Sequence, residues 1–287
     1  MTTYHYRIAG LSVALHSALP LNEDADSRLF RCDAPETPDI SATLETVAQL
    51  DEPETGYLND GLFTRLYQQG EELSLITENR LNGTACIRAD FPVQGGPIRM
   101  RADAATAQYA ASVQNLWPAM DLPYQLLLHG VTVLHAASVA VDGGAVLFTA
   151  PSGTGKSTQA ALWAVCRNAT QLNGDKVAIG CRDGQLHAWG LPFCGTSGIC
   201  RTYDLPVRAI AVLRQGCENT ASHLSGVPAA AALMNNAFGH NRVGYCREKL
   251  LECLLPAAKL TPVIELCCTP DERAVCALEN AMKEYGI

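Results

Sequence analysis

One segment constrains this chain more than any other. The apolar run Gly144-Ala145-Val146-Leu147-Phe148 enters the turn Thr149-Ala150-Pro151-Ser152-Gly153-Thr154-Gly155-Lys156-Ser157-Thr158, and the helix-favouring run Gln159-Ala160-Ala161-Leu162-Trp163-Ala164-Val165 leaves it. A buried strand, a glycine-rich loop, Lys-Ser/Thr and a helix form the context of a phosphate-binding loop. Glycines let successive backbone N–H groups curl around phosphate oxygens, and the helix N-terminus adds partial positive charge. Ser152, Gly153, Thr154, Gly155, Lys156, Ser157 and Thr158 are therefore the expected nucleotide-binding residues, with Lys156 on the β/γ-phosphates and Ser157 on Mg²⁺.

The strict pattern opens with glycine, where this chain has Ala150. Alanine tolerates positive φ poorly, so negative φ is expected there. The competing reading is a glycine-rich turn that binds nothing.

Bulk properties narrow the partners. The chain has 287 residues, enough for one large or two modest domains, and a net charge of −8. Sequence-independent nucleic-acid binding needs a basic surface, and no basic run occurs, so nucleic acid is not an expected partner. The 12 cysteines include no C-x-x-C pair and no zinc-knuckle spacing. They read as reduced, small core residues of a cytoplasmic protein. The polar start lacks the apolar core of a signal peptide, and no run approaches the roughly 20 apolar residues of a membrane span.

Along the chain, residues 4–15 read as one or two strands and residues 20–60 mostly as acidic loop, with a short extended piece near Ile40. Leu62–Tyr67, Leu73–Thr77 and Thr84–Ala89 read as a β-meander separated by Gly70 and Asn82-Gly83. An alanine-rich helix opens at Asp103, a plausible N-cap, and a second short helix runs through Tyr124–His129. The expected organisation is a β-rich N-terminal domain over 1–125 and a nucleotide-binding domain over 126–287. In the latter, strands are expected at Thr132–Val141, Ala145–Phe148, Val177–Gly180, Leu186–Trp189, Ile210–Leu213 and Val263–Leu266. Helices are expected at Lys156–Arg167, Pro228–Phe238, Arg247–Leu255 and Pro270–Tyr285. This alternation predicts an α/β core.

Phosphoryl transfer needs metal carboxylates, a base for the acceptor and a cation for developing charge. Asp175, in Leu172-Asn173-Gly174-Asp175-Lys176-Val177, is the best carboxylate, about 20 residues beyond the loop. It is placed to hold Mg²⁺ or take a hydroxyl proton; an ordinary Asn-Gly-Asp turn is the alternative. His135 lies in a strand-like apolar run, where a lone histidine is ordinarily a hydrogen-bonded core residue. Asp142 and Asp183 read as hairpin-turn residues. A second glycine-rich stretch, Gly190-Leu191-Pro192-Phe193-Cys194-Gly195-Thr196-Ser197-Gly198, is either a plain loop or a lining for the acceptor side through Thr196 and Ser197. Arg201 and Arg214 are the nearest arginines for transition-state charge, with a surface role as the alternative for either.

Together these residues resemble the catalytic core of HPr kinase/phosphorylase, a bacterial protein-serine kinase, and more closely the HPr-kinase-like proteins of bacterial peptide-modification clusters. The stretch from His135 through Thr149 matches the length and pattern of the family's segment before the loop, and Asp175 falls at its acidic motif. The closer relatives carry Asn-Gly-Asp-Arg/Lys and Gly-Leu-Pro-Tyr-x-Gly-Ser-Ser-Gly, which here read Asn173-Gly174-Asp175-Lys176 and Gly190 through Gly198. Gly174-Asp175 and the loop also resemble the nucleotide site of phosphoenolpyruvate carboxykinase. The resemblance covers roughly residues 130–285. It implies an HPr kinase/phosphoenolpyruvate carboxykinase-like α/β fold with a P-loop and an ATP- and Mg²⁺-dependent kinase. It also implies catalytic roles for Asp175, His135 and Lys156, and Mg²⁺ on Ser157 and Asp175. The acceptor would be a serine or threonine of a small protein or peptide, in a homo-oligomer. The kinase/phosphorylase has two adjacent aspartates where this chain has Asp175-Lys176, and its segment for the reverse reaction is not found. Phosphorolysis is therefore not expected. A nucleotide-dependent binding module for a leader peptide, or a simple ATPase, is the alternative.

Overall fold

The computed structural model describes residues 1–61, 63–79, 82–193, 195–238 and 244–286. The chain divides into two compact units, Met1–Leu128 and His129–Ile287.

The first unit is built on one eight-stranded sheet. Its strands are β1 (Thr2–Ile8), β2 (Leu11–Ser17), β3 (Ile40–Val47), β4 (Tyr57–Gly61), β5 (Thr64–Gln69), β6 (Glu72–Glu78), β7 (Ala85–Pro92) and β8 (Ile98–Asp103). They lie in the order β1-β2-β3-β8-β7-β6-β5-β4. β3 is parallel to β2 and β8, and the other pairs are antiparallel. The stretch 20–60 is mostly loop, as expected; the extended piece near Ile40 is β3, and β4 begins at Tyr57. β8, to which the sequence reading assigns no strand, has Ile98, Met100 and Ala102 buried while Arg99 and Arg101 face away, the period-2 alternation of a strand with one apolar face. Leu62, the first residue of an expected strand, lies outside the described residues.

The helices of this unit are α1 (Ala25–Arg28), α2 (Ala107–Ala110), α3 (Val113–Ala119) and α4 (Leu122–Leu128). The alanine-rich helix is more broken than expected: Asp103 caps a single 3-10 turn through the Ala105 N–H, and α2 ends after four residues.

The second unit carries the glycine loop. Its strands are β9 (Val131–Val141), β10 (Gly144–Thr149), β11 (Thr170–Asn173), β12 (Lys176–Arg182), β13 (Gln185–Trp189), β14 (Asp204–Gln215), β15 (Thr220–Leu224) and β16 (Val263–Cys268). Its helices are α5 (Lys156–Arg167), α6 (Gly226–Met234), α7 (Gly244–Leu260) and α8 (Glu272–Glu284). The order is β10-β9-β12-β13-β14-β16-β15, and β10 also pairs with β14, so β10, β9, β12, β13 and β14 close into a ring. β10, β14 and β16 run parallel. The β9–β10 and β12–β13 turns place Asp142-Gly143 and Asp183-Gly184 at positive φ, the geometry of tight two-residue hairpins.

The core that anchors the loop joins Val146 and Phe148 of β10 to Ala160 and Trp163 of α5 and to Val275, Leu278 and Met282 of α8, all almost fully buried. Each large apolar side chain contributes about 1.5–3 kcal/mol by burial. Both ends of the loop are therefore fixed to one rigid core.

No described helix is long and apolar enough to cross a membrane.

Candidate active site

β10 is buried at every position and delivers the chain into the loop. Ala150 is fully buried within the anchoring core and is not among the residues with positive φ. The left-handed turns come later, at Gly153 (φ 79°) and Gly155 (φ 111°). No atom lies within 4 Å of where a β-carbon would stand on either glycine, so glycine is needed there for backbone conformation while the space above the loop stays open. Thr154 Oγ1 donates to the Pro151 carbonyl (2.9 Å), and Gln215 Nε2, at the end of β14, donates to the Gly153 carbonyl (3.3 Å).

α5 starts at Lys156 with Gly155 as its N-cap, and no side chain caps its first turn. The unsatisfied N–H groups of that turn favour an anion. Lys156 is only 7% exposed. Its ammonium donates to the Ala150 (2.9 Å) and Pro151 (3.1 Å) carbonyls of its own loop. Burial lowers its pKa, and the charge of Asp175 partly offsets that. Ser152, Ser157 and Thr158 are exposed, and Ser157 Oγ donates a long hydrogen bond (3.5 Å) to the Gly174 carbonyl.

That contact joins the first turn of α5 to the 173–176 turn. Asn173, not Asp175, makes this turn: its Oδ1 accepts from the backbone N–H groups of Asp175 (2.9 Å) and Lys176 (3.1 Å). Asp175 is thereby released from turn-capping. One carboxylate oxygen accepts from His135 Nε2 at 2.9 Å, and the other accepts from the Lys176 ammonium. The His135 hydrogen bond, and then Lys176, hold the Asp175 carboxyl well below the usual carboxylate range against the opposing effect of burial. A carboxylate has about four lone-pair sites, so Asp175 retains capacity for a further donor.

His135 is placed by the strands. It lies directly across from Lys176 in the β9–β12 ladder, and it is a half-exposed position within the buried stretch Val131–Val139. Its backbone N–H donates to the Asn236 carbonyl (2.8 Å), and its carbonyl accepts from Thr149 Oγ1 (3.0 Å). Its ring meets Phe238 edge to face.

The second glycine stretch packs onto the same turn. A β-carbon on Gly195 would lie 2.6 Å from the Asp175 carboxylate carbon, and one on Gly174 would collide with the Ser197 side chain. Asn173 Nδ2 donates to the Phe193 carbonyl (3.3 Å), tying the two loops together. Cys194 and the Thr196 side chain lie outside the described residues.

The two candidate arginines are committed elsewhere. Arg201 donates to the Gln171 carbonyl (3.0 Å), and Arg214, 68% exposed, pairs with Glu265 (2.7 Å). The cation at Asp175 is Lys176, to which the sequence reading assigns no role. Its signal was its place in the Asn-Gly-Asp-Lys motif; Phe193 and Phe238, which flank it, carried none.

These residues fit a nucleotide phosphate: an uncapped helix N-terminus, open space above two glycines and a buried ammonium whose partners are loop carbonyls. For Mg²⁺ the fit is narrower. No group of three or more His, Cys, Asp or Glu suited to a metal occurs among the described residues. Ser157 and Asp175 would hold Mg²⁺ only together with phosphate oxygens and water, as Mg²⁺ usually binds. A separate cleft of about 290 Å³, between the Gly184–Leu186 hairpin and the start of β14, lies at the opposite end of the parallel strands and contains none of these residues.

No protein-family model matches the chain, and no curated protein matches it in sequence. Among solved structures it is similar to the HPr(Ser) kinase/phosphatase from Coxiella burnetii, at 13% identity and a TM-score of 0.31, over 54% of this chain and 94% of that one.

Proposed function

We propose that this chain is an ATP-dependent phosphotransferase that delivers a phosphoryl group to a hydroxyl. The observation that carries this reading is the convergence on Asp175: His135 holds its carboxylate at 2.9 Å, and Ser157, beside Lys156, bonds the carbonyl one residue before it at 3.5 Å. Mg²⁺·ATP, when bound, supplies the activated phosphoryl group. Lys156 and the N–H groups of the loop would hold the phosphates, and Ser157 and Asp175 would hold the metal together with phosphate oxygens and water. Asp175 also orients the acceptor hydroxyl and takes its proton, while His135 fixes the carboxylate. A weakly basic carboxylate suffices, because the loose transition state of phosphoryl transfer needs positioning more than proton abstraction. On the motif resemblance, the acceptor is a serine or threonine of a small protein or peptide.

A second reading is a nucleotide-binding module or ATPase that transfers nothing to a partner. The observation favouring it is the Lys176 ammonium, which already occupies an Asp175 oxygen that a metal or an acceptor hydroxyl would use.

Calorimetric titration with Mg²⁺·ATP separates the two, comparing the wild type with Lys156→Ala and Asp175→Ala, alongside mass spectrometry of candidate peptides incubated with ATP. Binding that is lost in Lys156→Ala, with phosphate gained by a peptide only when Asp175 is present, supports transfer. Binding without transfer, indifferent to Asp175→Ala, supports the module. No binding overturns both.

A further inference from the structure

We infer that Lys176 is a second phosphate-binding cation of this site, contacting the terminal phosphate of a nucleoside triphosphate in addition to the phosphate contacts of Lys156. The inference rests on the nucleotide-binding reading above.

Asp175 is bonded to one lysine and acts electrostatically on a second. Its carboxylate accepts from the Lys176 ammonium on β12, and its charge acts on Lys156 at the start of α5. Two ammonium groups against one carboxylate leave a positive surplus, within a chain whose net charge is −8. Among the described residues, the carboxylate bonded at this site is Asp175, and it is itself shared between Lys176 and His135. The uncapped N-terminus of α5 adds to the same sign.

Besides its ion pair with Asp175, Lys176 is held by two aromatic rings. Its ammonium lies 5.5 Å from the ring centre of Phe193 and 5.3 Å from that of Phe238. Aromatic faces attract a cation without neutralising it. Phe193 comes from the second glycine stretch and Phe238 from the segment after α6, so two separate parts of the chain support one amine. Among the described residues, Arg201 and Arg214 are bonded elsewhere, and Lys176 is the cation paired with the Asp175 carboxylate. Lys156 points its ammonium into the loop carbonyls, a different position from that of Lys176.

The test is the ratio of affinities for Mg²⁺·ATP and Mg²⁺·ADP, measured by calorimetry. A charge-assisted phosphate contact confined to the terminal group predicts that Lys176→Gln weakens ATP binding about tenfold or more and ADP binding less than about twofold. Lys156→Ala should weaken both, and Lys176→Arg should preserve the wild-type ratio. A second measurement needs no variant: the Lys176 amine of the wild type should be protected from an amine-reactive reagent by ATP and not by ADP, as read by mass spectrometry. Equal losses for the two nucleotides, no loss, or equal protection overturns the inference while leaving nucleotide binding intact. A wild type that binds neither nucleotide overturns the reading beneath it, and the inference with it.

Discussion

Gly195 stands so close to Asp175 that a β-carbon on it would lie 2.7 Å from a carboxylate oxygen. Its φ of 59° is also one that other residues adopt at a cost. Gly195→Ala should therefore destabilise the second unit by about 1–3 kcal/mol and displace the carboxylate from His135. Phosphotransfer should fall far more than nucleotide affinity, because the loop at 150–155 is untouched. Denaturant melts and calorimetry on the same variant check this, and unchanged transfer would show that the close approach is incidental.

The depressed pKa of Asp175 links stability to pH. A carboxyl whose pKa is lower folded than unfolded stabilises the fold fully above the ordinary carboxylate value near 4, and that contribution is lost as pH falls below it through the folded pKa. Asp175→Asn removes the titrating group. Urea midpoints measured at pH 6 and pH 3 should accordingly drop less for Asp175→Asn than for the wild type. Parallel drops would assign the acid limb to other carboxyls, such as Asp90, which is 3% exposed and bonded to Ser74, Arg88 and Arg101.

Much of the site was legible in the sequence because its parts are local. The span Lys156–Arg167 for α5 follows from the loop and the helix-favouring run after it, and both hairpin aspartates follow from Asp-Gly. What was not legible is assembled across the chain. The resemblance alone joins His135 to Asp175; their contact, with Phe193 and Phe238 around it, exists because β9 pairs with β12 and two later segments fold back over that pair. Strand β15 illustrates another limit: its burial pattern shows no buried position, so nothing in its side chains marks a strand, and its pairing with β16 defines it. β8, in contrast, carries a clean alternation, and the polar arginines within it disguise an ordinary half-buried strand.

Ala150 bears on how strictly a glycine is needed at the loop's first position. It is fully buried, and the left-handed turns fall at Gly153 and Gly155 instead. Ala150→Gly should cost about 1 kcal/mol, from a lost buried methyl and greater freedom of the unfolded chain. It should leave nucleotide affinity within about twofold, which calorimetry can decide. A marked gain in affinity would mean that the alanine restrains the loop.

Asn173 makes the strongest demand on residue type. It is 1% exposed, its Oδ1 serves two backbone N–H groups, and its Nδ2 reaches the Phe193 carbonyl. Asn173→Ala strands those groups and should cost about 1–3 kcal/mol, since buried donors left unpaired lose the full benefit of water. Asn173→Asp is the more informative change. A carboxylate there still accepts both N–H groups, so the turn should persist, but it cannot donate to Phe193 and it sets a second negative charge beside Asp175. The second glycine stretch should then loosen while the 173–176 turn stays protected, a split that amide hydrogen exchange resolves segment by segment. If the exchange of both segments rises together in Asn173→Asp, the turn depends on the tie to Phe193 as well as on the Oδ1 contacts, and the two loops behave as a single unit around Asp175.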